Sequence, residues 1–159
     1  MKFSKLSMIA GFIIAFALIF EMTAHADEDN QLTKISFSEA VQVPGKVLPA
    51  GTYQFVLASN TSNRNIVQIF NAEGTELYAI VQTIPTERGW ETDGTSITLA
   101  QRPDGQPDAL VTWFYPGADT GHEFLYSKQE EKELTQDAKQ TFVGDHGIMV
   151  NPGTSEAGN

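Results

Sequence analysis

A two-residue alternation of apolar and polar side chains constrains the fold of this chain more than any other feature. In the segment 33–37, threonine, isoleucine and phenylalanine alternate with lysine and serine, and in the segment 52–58 the alternating series is Tyr53, Phe55 and Leu57. Successive side chains of a β-strand point to opposite faces, whereas a helix brings side chains to one face about every 3.6 residues. The alternation therefore predicts strands that bury one face.

Further apolar runs follow, each ended by turn-forming residues; they cover 65–70, 76–84, 96–101, 109–115 and 122–126. The connections contain Asn71 with Gly74, then Pro103 with Gly105, and then the pair at 116–117, Pro-Gly. Proline and glycine at such positions turn the chain and end strands. Because no helical segment separates these runs, the sequence predicts an all-β fold, an antiparallel β-sandwich or partly open barrel of about seven to eight strands.

One helix is predicted after the β-domain, which we place at residues 27–126. Ser127 and Glu130 have the spacing of a capping box, in which each side chain accepts a hydrogen bond from an N–H of the first turn. Apolar residues then recur at four-residue steps, and these are Leu134, Ala138 and Phe142. We expect a helix from about residue 128 to 140 inside a C-terminal helical segment 127–142, followed by a flexible tail at 143–159.

The first 26 residues have the composition of a signal peptide. Two lysines precede an apolar run over 8–20, and Ala24-His25-Ala26 supplies the small-x-small pattern that signal peptidase recognises. The run is too short to span a bilayer as a stable helix. We therefore expect a mature chain that begins at Asp27, is secreted or periplasmic, and is not stably inserted in a membrane.

Charge and cysteine content exclude several classes of function. The full chain has 10 Lys and Arg against 20 Asp and Glu; the leader holds two lysines and one glutamate, so the mature part has 8 against 19, a net charge of −11. Nucleic-acid binding depends on Lys and Arg that neutralise phosphates, so DNA and RNA are excluded as partners. The chain has 0 cysteines, which excludes disulfides, thiol nucleophiles and cysteine zinc sites.

Metal-ligand spacing is also absent from the sequence. Asp119, His122 and Glu123 lie near one turn and Asp145 precedes His146, but neither group matches a twelve-residue calcium loop or a zinc motif. We expect no bound metal and no cofactor.

Several motifs carry a resemblance to a known family. They are Val-Pro-Gly-Lys-Val-Leu-Pro-Ala-Gly-Thr-Tyr-Gln-Phe at 43–55, Ile-Val-Gln-Ile-Phe-Asn at 66–71, Trp-Phe-Tyr-Pro-Gly at 113–117 and Glu-Phe at 123–124. With these motifs the chain resembles a family of small secreted bacterial β-domains of uncharacterised function. More distantly, Leu-Pro-Ala-Gly-Thr-Tyr is similar to the start of a strand in transthyretin-like and collagen-adhesin B-type sandwich modules. The resemblance implies an exported location and a β fold, and no chemistry.

Aromatic residues are the candidate ligand-binding groups. Trp113 and Tyr115 share one face of the run 109–115, and Trp90 follows Arg88 in a polar loop. If they are exposed, such rings form a platform for a sugar ring or an apolar partner; if they are covered, they belong to the core or anchor a loop. Both readings stay open at this point.

Three functions of different class are consistent with the sequence. The first is a non-enzymatic binding domain at the cell envelope, whose ligand is a glycan or another exported protein. The second is a structural subunit of an exported assembly. The third is a hydrolase or isomerase that uses loop acids and a histidine, although no catalytic motif is present; its candidate residues are Asp104, Asp108, Asp119, His122 and Glu123.

Processing of the leader is directly testable. The exported wild-type protein should begin at Asp27, and replacing Ala26 by leucine should block cleavage because the peptidase site accepts small side chains there. Intact mass and N-terminal sequencing of the exported protein measure this. A wild-type chain that keeps residues 1–26 after export would contradict their assignment as a cleaved signal peptide.

Overall fold

The computed structural model describes residues 31–58, 64–89, 93–103, 105–144 and 147–152, and within them it has eleven strands and one helix. The helix is α1 (Lys128–Gln136), and the strands are β1 (Thr33–Phe37), β2 (Val41–Val43), β3 (Lys46–Leu48), β4 (Gly51–Leu57), β5 (Ile66–Asn71), β6 (Leu77–Glu87), β7 (Thr95–Gln101), β8 (Asp108–Phe114), β9 (Thr120–Phe124), β10 (Ala138–Gly144) and β11 (Gly147–Val150). The all-β class with one helix is confirmed. There are more strands than predicted, because β2 and β3 are only three residues long and β10 and β11 lie in the segments expected to be helix and tail.

All the strands belong to one hydrogen-bonded network. Its main path runs β10-β7-β8-β9-β6-β5-β4-β1-β11, and β2 joins β8 while β3 joins β2. Most neighbours are antiparallel, but β1 pairs with β11 and β2 pairs with β8 in parallel. The sheet is therefore mixed, with antiparallel pairing predominant and two parallel pairs that the sequence did not indicate. Parallel neighbours need a long connection, and almost the whole domain lies between β1 and β11.

Strand β6 carries the sheet around a corner. Its first part pairs with β5 as far as Gln82, and its second part pairs with β9 from Thr83 onward. At 11 residues it is about twice as long as a typical strand. Because one strand pairs with different neighbours along its length, it joins two parts of the sheet that face each other.

An aromatic contact shows that the sheet folds over onto itself. Along the path β4 and β8 are four strand spacings apart, which is about 19 Å in a flat sheet. The ring centroids of Phe55 on β4 and Trp113 on β8 are 5.8 Å apart. The two ends of the path also approach each other, because only residues 145–146 separate β10 from β11. The core fills the space enclosed in this way, and its largest fully buried side chains are Trp113, Phe55, Ile35, Leu48, Ile69, Ile97, Leu99 and Leu110.

The predicted helix is correct at its start and wrong at its end. Ser127 Oγ accepts from the Glu130 N–H at 3.3 Å and Glu130 Oε2 accepts from the Ser127 N–H at 3.2 Å, which confirms the capping box. The helix ends at Gln136, with Leu134 as its buried residue, and from Ala138 the chain is a strand paired along its length with β7. The thin apolar stripe could bury little as a helix, whereas a strand obtains ladder hydrogen bonds and packs Phe142 against the core.

The flexible tail predicted from residue 143 is also corrected. Residues 143–144 belong to β10, and Gly147–Val150 pairs with β1, where Ile148 is 5 % and Val150 0 % exposed. The apolar residues of Gly147–Val150 form only a short alternation among polar residues, so the sequence did not indicate a strand there. Residues 1–30, which include the predicted leader, and residues 153–159 lie outside the described residues.

Strand β11 supplies a test of this architecture with adjacent positions. Ile148→Ala should reduce the free energy of unfolding by about 2–5 kcal/mol, because it empties a buried site, whereas Met149→Ala removes a side chain that is 70 % exposed and should change it by less than about 0.5 kcal/mol. Urea unfolding of the two variants measures the difference. Equal, small effects would mean that β11 does not pack on the domain.

Candidate functional site

Trp113 belongs to the core and not to an exposed platform. Its side chain is 0 % exposed, it meets the Phe55 ring edge to face at 76°, and its ring centroid is 5.3 Å from that of His122. The register between β8 and β9 places Trp113 opposite His122, inside the folded-over sheet. The prediction that Trp113 binds a ligand on the surface is therefore wrong, and its other reading, as a core residue, holds.

Two of the other predicted binding residues, Tyr115 and Arg88, follow the ends of β8 and β6. Tyr115 follows β8 and is half-buried. The guanidinium carbon of Arg88 lies 5.3 Å from the centroid of the Phe114 ring, and its backbone N–H donates to the carbonyl of Asp119 at 3.3 Å. Arg88 thus ties the end of β6 to the turn before β9. Trp90 lies outside the described residues, so its role stays a prediction.

His122 is the one histidine in the described part of the chain, and it is buried. It is 7 % exposed, with Nδ1 3.3 Å from Thr83 Oγ1 and Nε2 3.1 Å from Gln31 Oε1. A cavity of about 230 Å³ opens beside it, and its lining includes Gln31, Arg64, Asn65, Pro85, Thr120 and His122. Sequence reasoning found the histidine but not the cavity, because its walls come from four separate parts of the chain.

Burial controls the charge of this histidine. Loss of solvent disfavours the imidazolium, and the nearby Arg64 guanidinium adds repulsion, so the pKa of His122 falls from 6.5 to about 4. The ring is therefore neutral near pH 7.

The loop carboxylates are not assembled around His122. Asp108 Oδ1 accepts from the backbone N–H of Arg102 at 3.0 Å, and Glu123 faces the opposite side of β9. Within the described ranges no hydrogen bond joins two of the residues suggested for the hydrolase or isomerase, and Asp104 lies outside them. The same ranges hold no group of three side chains suited to a metal, and Asp145 and His146 lie outside them.

A groove on the outer side of the sheet is a second concave site, larger than the cavity beside His122. It has a volume of about 350 Å³ and lies between α1, β10 and the strands β6, β8 and β9. Its apolar lining includes Ile84, Val111, Leu125 and Leu134, and the charged residues at it are Glu123, Glu131 and Lys139. The volume lies within the usual range of small ligand sites, about 300–1,000 Å³.

A charged network holds α1 in the position that forms this groove. Arg102, whose side chain is 9 % exposed, donates to Gln42 Oε1 at 2.9 Å and to Glu133 Oε2 at 2.8 Å. Gln42 also donates to Glu130 Oε1 at 3.0 Å, and Tyr126 Oη donates to the carbonyls of Gln42 and Leu110. Because these partners come from distant parts of the chain, no local pattern in the sequence indicates where the helix lies.

Two exposed isoleucines lie on the outer face of β6, one at the groove and one four residues before it, with the exposed Gln82 between them. Ile84 is 43 % exposed and Ile80 is 60 % exposed, and both point to the outer face of the strand. Exposed apolar residues that adjoin a concave site are typical of a binding surface. We call Ile80, Ile84, Val111, Leu125 and Leu134 together the β6 groove surface.

The depressed pKa of His122 predicts a pH dependence of stability. Below about pH 6.5 the unfolded chain gains a proton on this histidine, whereas the folded chain gains it only near pH 4. The free energy of unfolding should therefore have its full value above pH 6.5 and be lower by about 2 kcal/mol at pH 5. Urea unfolding at pH 7 and pH 5 measures the loss. In His122→Gln this part of the pH dependence should be absent.

The matched control is His146→Gln, which removes the other histidine of residues 27–159 and should keep the wild-type pH dependence. A His122→Gln variant with an unchanged difference between pH 7 and pH 5 would contradict the assignment.

Among the described residues, no helix is long and apolar enough to cross a membrane. Comparison with known proteins found no matching family model, no matching curated protein and no matching solved structure. The resemblance to a family of small secreted β-domains thus stays a prediction from the sequence.

Proposed function

We propose that this protein is an exported, non-enzymatic binding domain that works in the periplasm or outside the cell. Its ligand is an apolar segment of another exported protein, which lies on the β6 groove surface. The observation that carries this proposal is the combination of an apolar groove with exposed isoleucines that continue its surface along β6.

The length of the surface favours a polypeptide segment. Ile80 and Ile84 are four residues apart on β6, at most about 13 Å along the strand, and Gln82 between them is also exposed; the groove extends the surface beyond Ile84. A compact small molecule would occupy the groove and leave Ile80 in water. An extended or helical segment with several apolar side chains covers both.

The chemistry of the surface favours protein over glycan. Sugar rings bind by stacking on exposed aromatic faces, but Trp113 is in the core, and the aromatic residues at the groove, Phe124 and Tyr126, are 3 % and 8 % exposed. The accessible apolar side chains of the lining are aliphatic, namely Ile84, Val111 and Leu125. Aliphatic side chains of a partner gain more from such a surface than hydroxyl groups do.

The charged residues at the groove indicate which charges the bound segment should carry. Two glutamates and one lysine lie at the groove, and the whole chain has 20 acidic against 10 basic residues. A segment in which apolar residues are interleaved with Lys or Arg is therefore complementary to this surface. The exported location is supported by the composition of residues 1–26.

A designed peptide tests the proposal on the mature chain. A fluorescently labelled peptide of alternating valine and lysine should bind, as measured by fluorescence anisotropy. Ile84→Ser should weaken binding by about three- to ninefold, because a partner can cover only the 43 % of the isoleucine that is exposed, which contributes about 0.6–1.3 kcal/mol. Val47→Ser is the matched control, since Val47 is 46 % exposed on β3, is not part of the groove lining, and should leave the affinity unchanged.

Two further ligands complete the experiment. A peptide with serine in place of valine should not bind, because the lysines alone give only weak, salt-sensitive attraction. If oligosaccharides of the cell envelope bind instead and the valine peptide does not, the ligand is a glycan and the proposed partner is wrong.

A further inference from the structure

The first half of β6 has one edge with no strand beside it. Pairing with β5 covers one edge of β6 as far as Gln82, and pairing with β9 covers the opposite edge only from Thr83 onward. Among the described residues, no strand pairs with that opposite edge between Leu77 and Val81. The corner that β6 makes in the sheet therefore leaves about five residues with a strand on one side only.

Two hydrogen bonds show which backbone groups point to this edge. The Thr83 N–H donates to the Asn65 carbonyl on the β5 side at 2.8 Å, and the Gln82 carbonyl accepts from the Leu125 N–H on the β9 side at 3.1 Å. Successive residues of a strand direct their N–H and C=O groups to opposite edges, so both groups of Ile80 and the N–H of Gln82 point away from β5. In the part of the chain that the structure describes, these three groups have no hydrogen-bond partner.

A lysine marks the far end of this edge. Lys46 Nζ donates to the Tyr78 carbonyl at 2.7 Å and lies 5.1 Å from the centroid of the Tyr78 ring. At the near end the chain leaves β6 at Leu125, which also lines the groove. We call the backbone from Tyr78 to Gln82 on this side the β6 open edge; it is short, and it begins where the groove ends.

We propose that the apolar segment of the partner binds as an added strand, antiparallel to β6, on the β6 open edge, and that the residues preceding it lie in the groove. This inference rests on the proposed function and specifies how the ligand is held. One residue of the segment exchanges two hydrogen bonds with Ile80, and the carbonyl two residues earlier accepts from the Gln82 N–H. The antiparallel direction is that of β9, which occupies the same edge of β6 from Thr83 onward.

The chemistry of the edge selects an extended polypeptide as its occupant. Free N–H and C=O groups at strand spacing match another backbone, and the side chain of Ile80, which is 60 % exposed, packs against an apolar side chain placed beside it on the added strand. A second copy of this chain is disfavoured, because each full chain carries a net charge of −10 and two such molecules repel each other. A segment with lysines is attracted instead.

N-methylated forms of the valine–lysine peptide test the added strand on residues 27–159. In an alternating peptide the N–H groups of the valines point to one edge and those of the lysines to the other. A valine beside Ile80 in the antiparallel arrangement donates its N–H to the Ile80 carbonyl. N-methylation of the valines should therefore weaken binding at least about tenfold, since the methyl group removes this donor and collides with β6. The same number of methyl groups on the lysines should leave the affinity unchanged, as measured by fluorescence anisotropy.

A proline on β6 tests the same edge from the side of the protein. Gln82→Pro removes an N–H that has no partner in the described structure, and proline is tolerated where a strand N–H faces outward. It should weaken peptide binding by about two- to tenfold through loss of one hydrogen bond. The matched control Gln82→Ala keeps the N–H and should bind like the wild type. Urea unfolding checks that both variants are folded; if Gln82→Pro is not, the two N-methylated peptides decide.

The added strand is overturned if the unmodified peptide binds and the two N-methylated peptides bind equally well, or if only methylation of the lysines weakens binding. In both cases the proposed function stands, because the unmodified peptide is bound. If the unmodified peptide does not bind, the proposed function fails as well. A dimer of the free protein that Gln82→Pro converts to a monomer would show that a second copy occupies the edge, and would also overturn the inference.

Discussion

The contact between Phe55 and Trp113 is the interaction on which the rest of this structure depends. It joins strands that are four positions apart in the sheet, so it exists only because β6 turns the sheet over and brings its inner faces together. Two aromatic rings that meet edge to face bury a large apolar area in the centre of a chain without disulfides. Strand pairing supplies the layers, and this core contact sets their distance.

The alternation of β9 places two different environments back to back. His122 points inward, where it packs against Trp113 and borders the small polar cavity, while Glu123 points outward to the groove. These two side chains point to opposite faces of β9, so a single strand separates the buried histidine from the apolar groove. This arrangement follows from the period of a strand, and it allows the two sites to be changed independently by mutation.

The C-terminal segment completes the molecule by contributing to both of its ends. Helix α1 is held on the outer side by Arg102 and forms one wall of the groove, β10 then extends one end of the sheet, and β11 pairs with β1 at the other. Residues 138–144 form a strand and not a longer helix because of their tertiary partners. The helical spacing of Leu134, Ala138 and Phe142 is present in the sequence, but the edge of β7 provides backbone partners for seven residues of a strand.

The sequence alone determined the all-β class, the seven main strands and the capping box, because strand periodicity, turn residues and helix caps are local properties that act within a few residues. Only the tertiary structure decided that Trp113 is core, that residues 138–150 form two more strands, and that the groove and the cavity exist. Each of these depends on which surfaces meet after the sheet has folded over, and contacts between distant segments leave no periodic signal in a single chain.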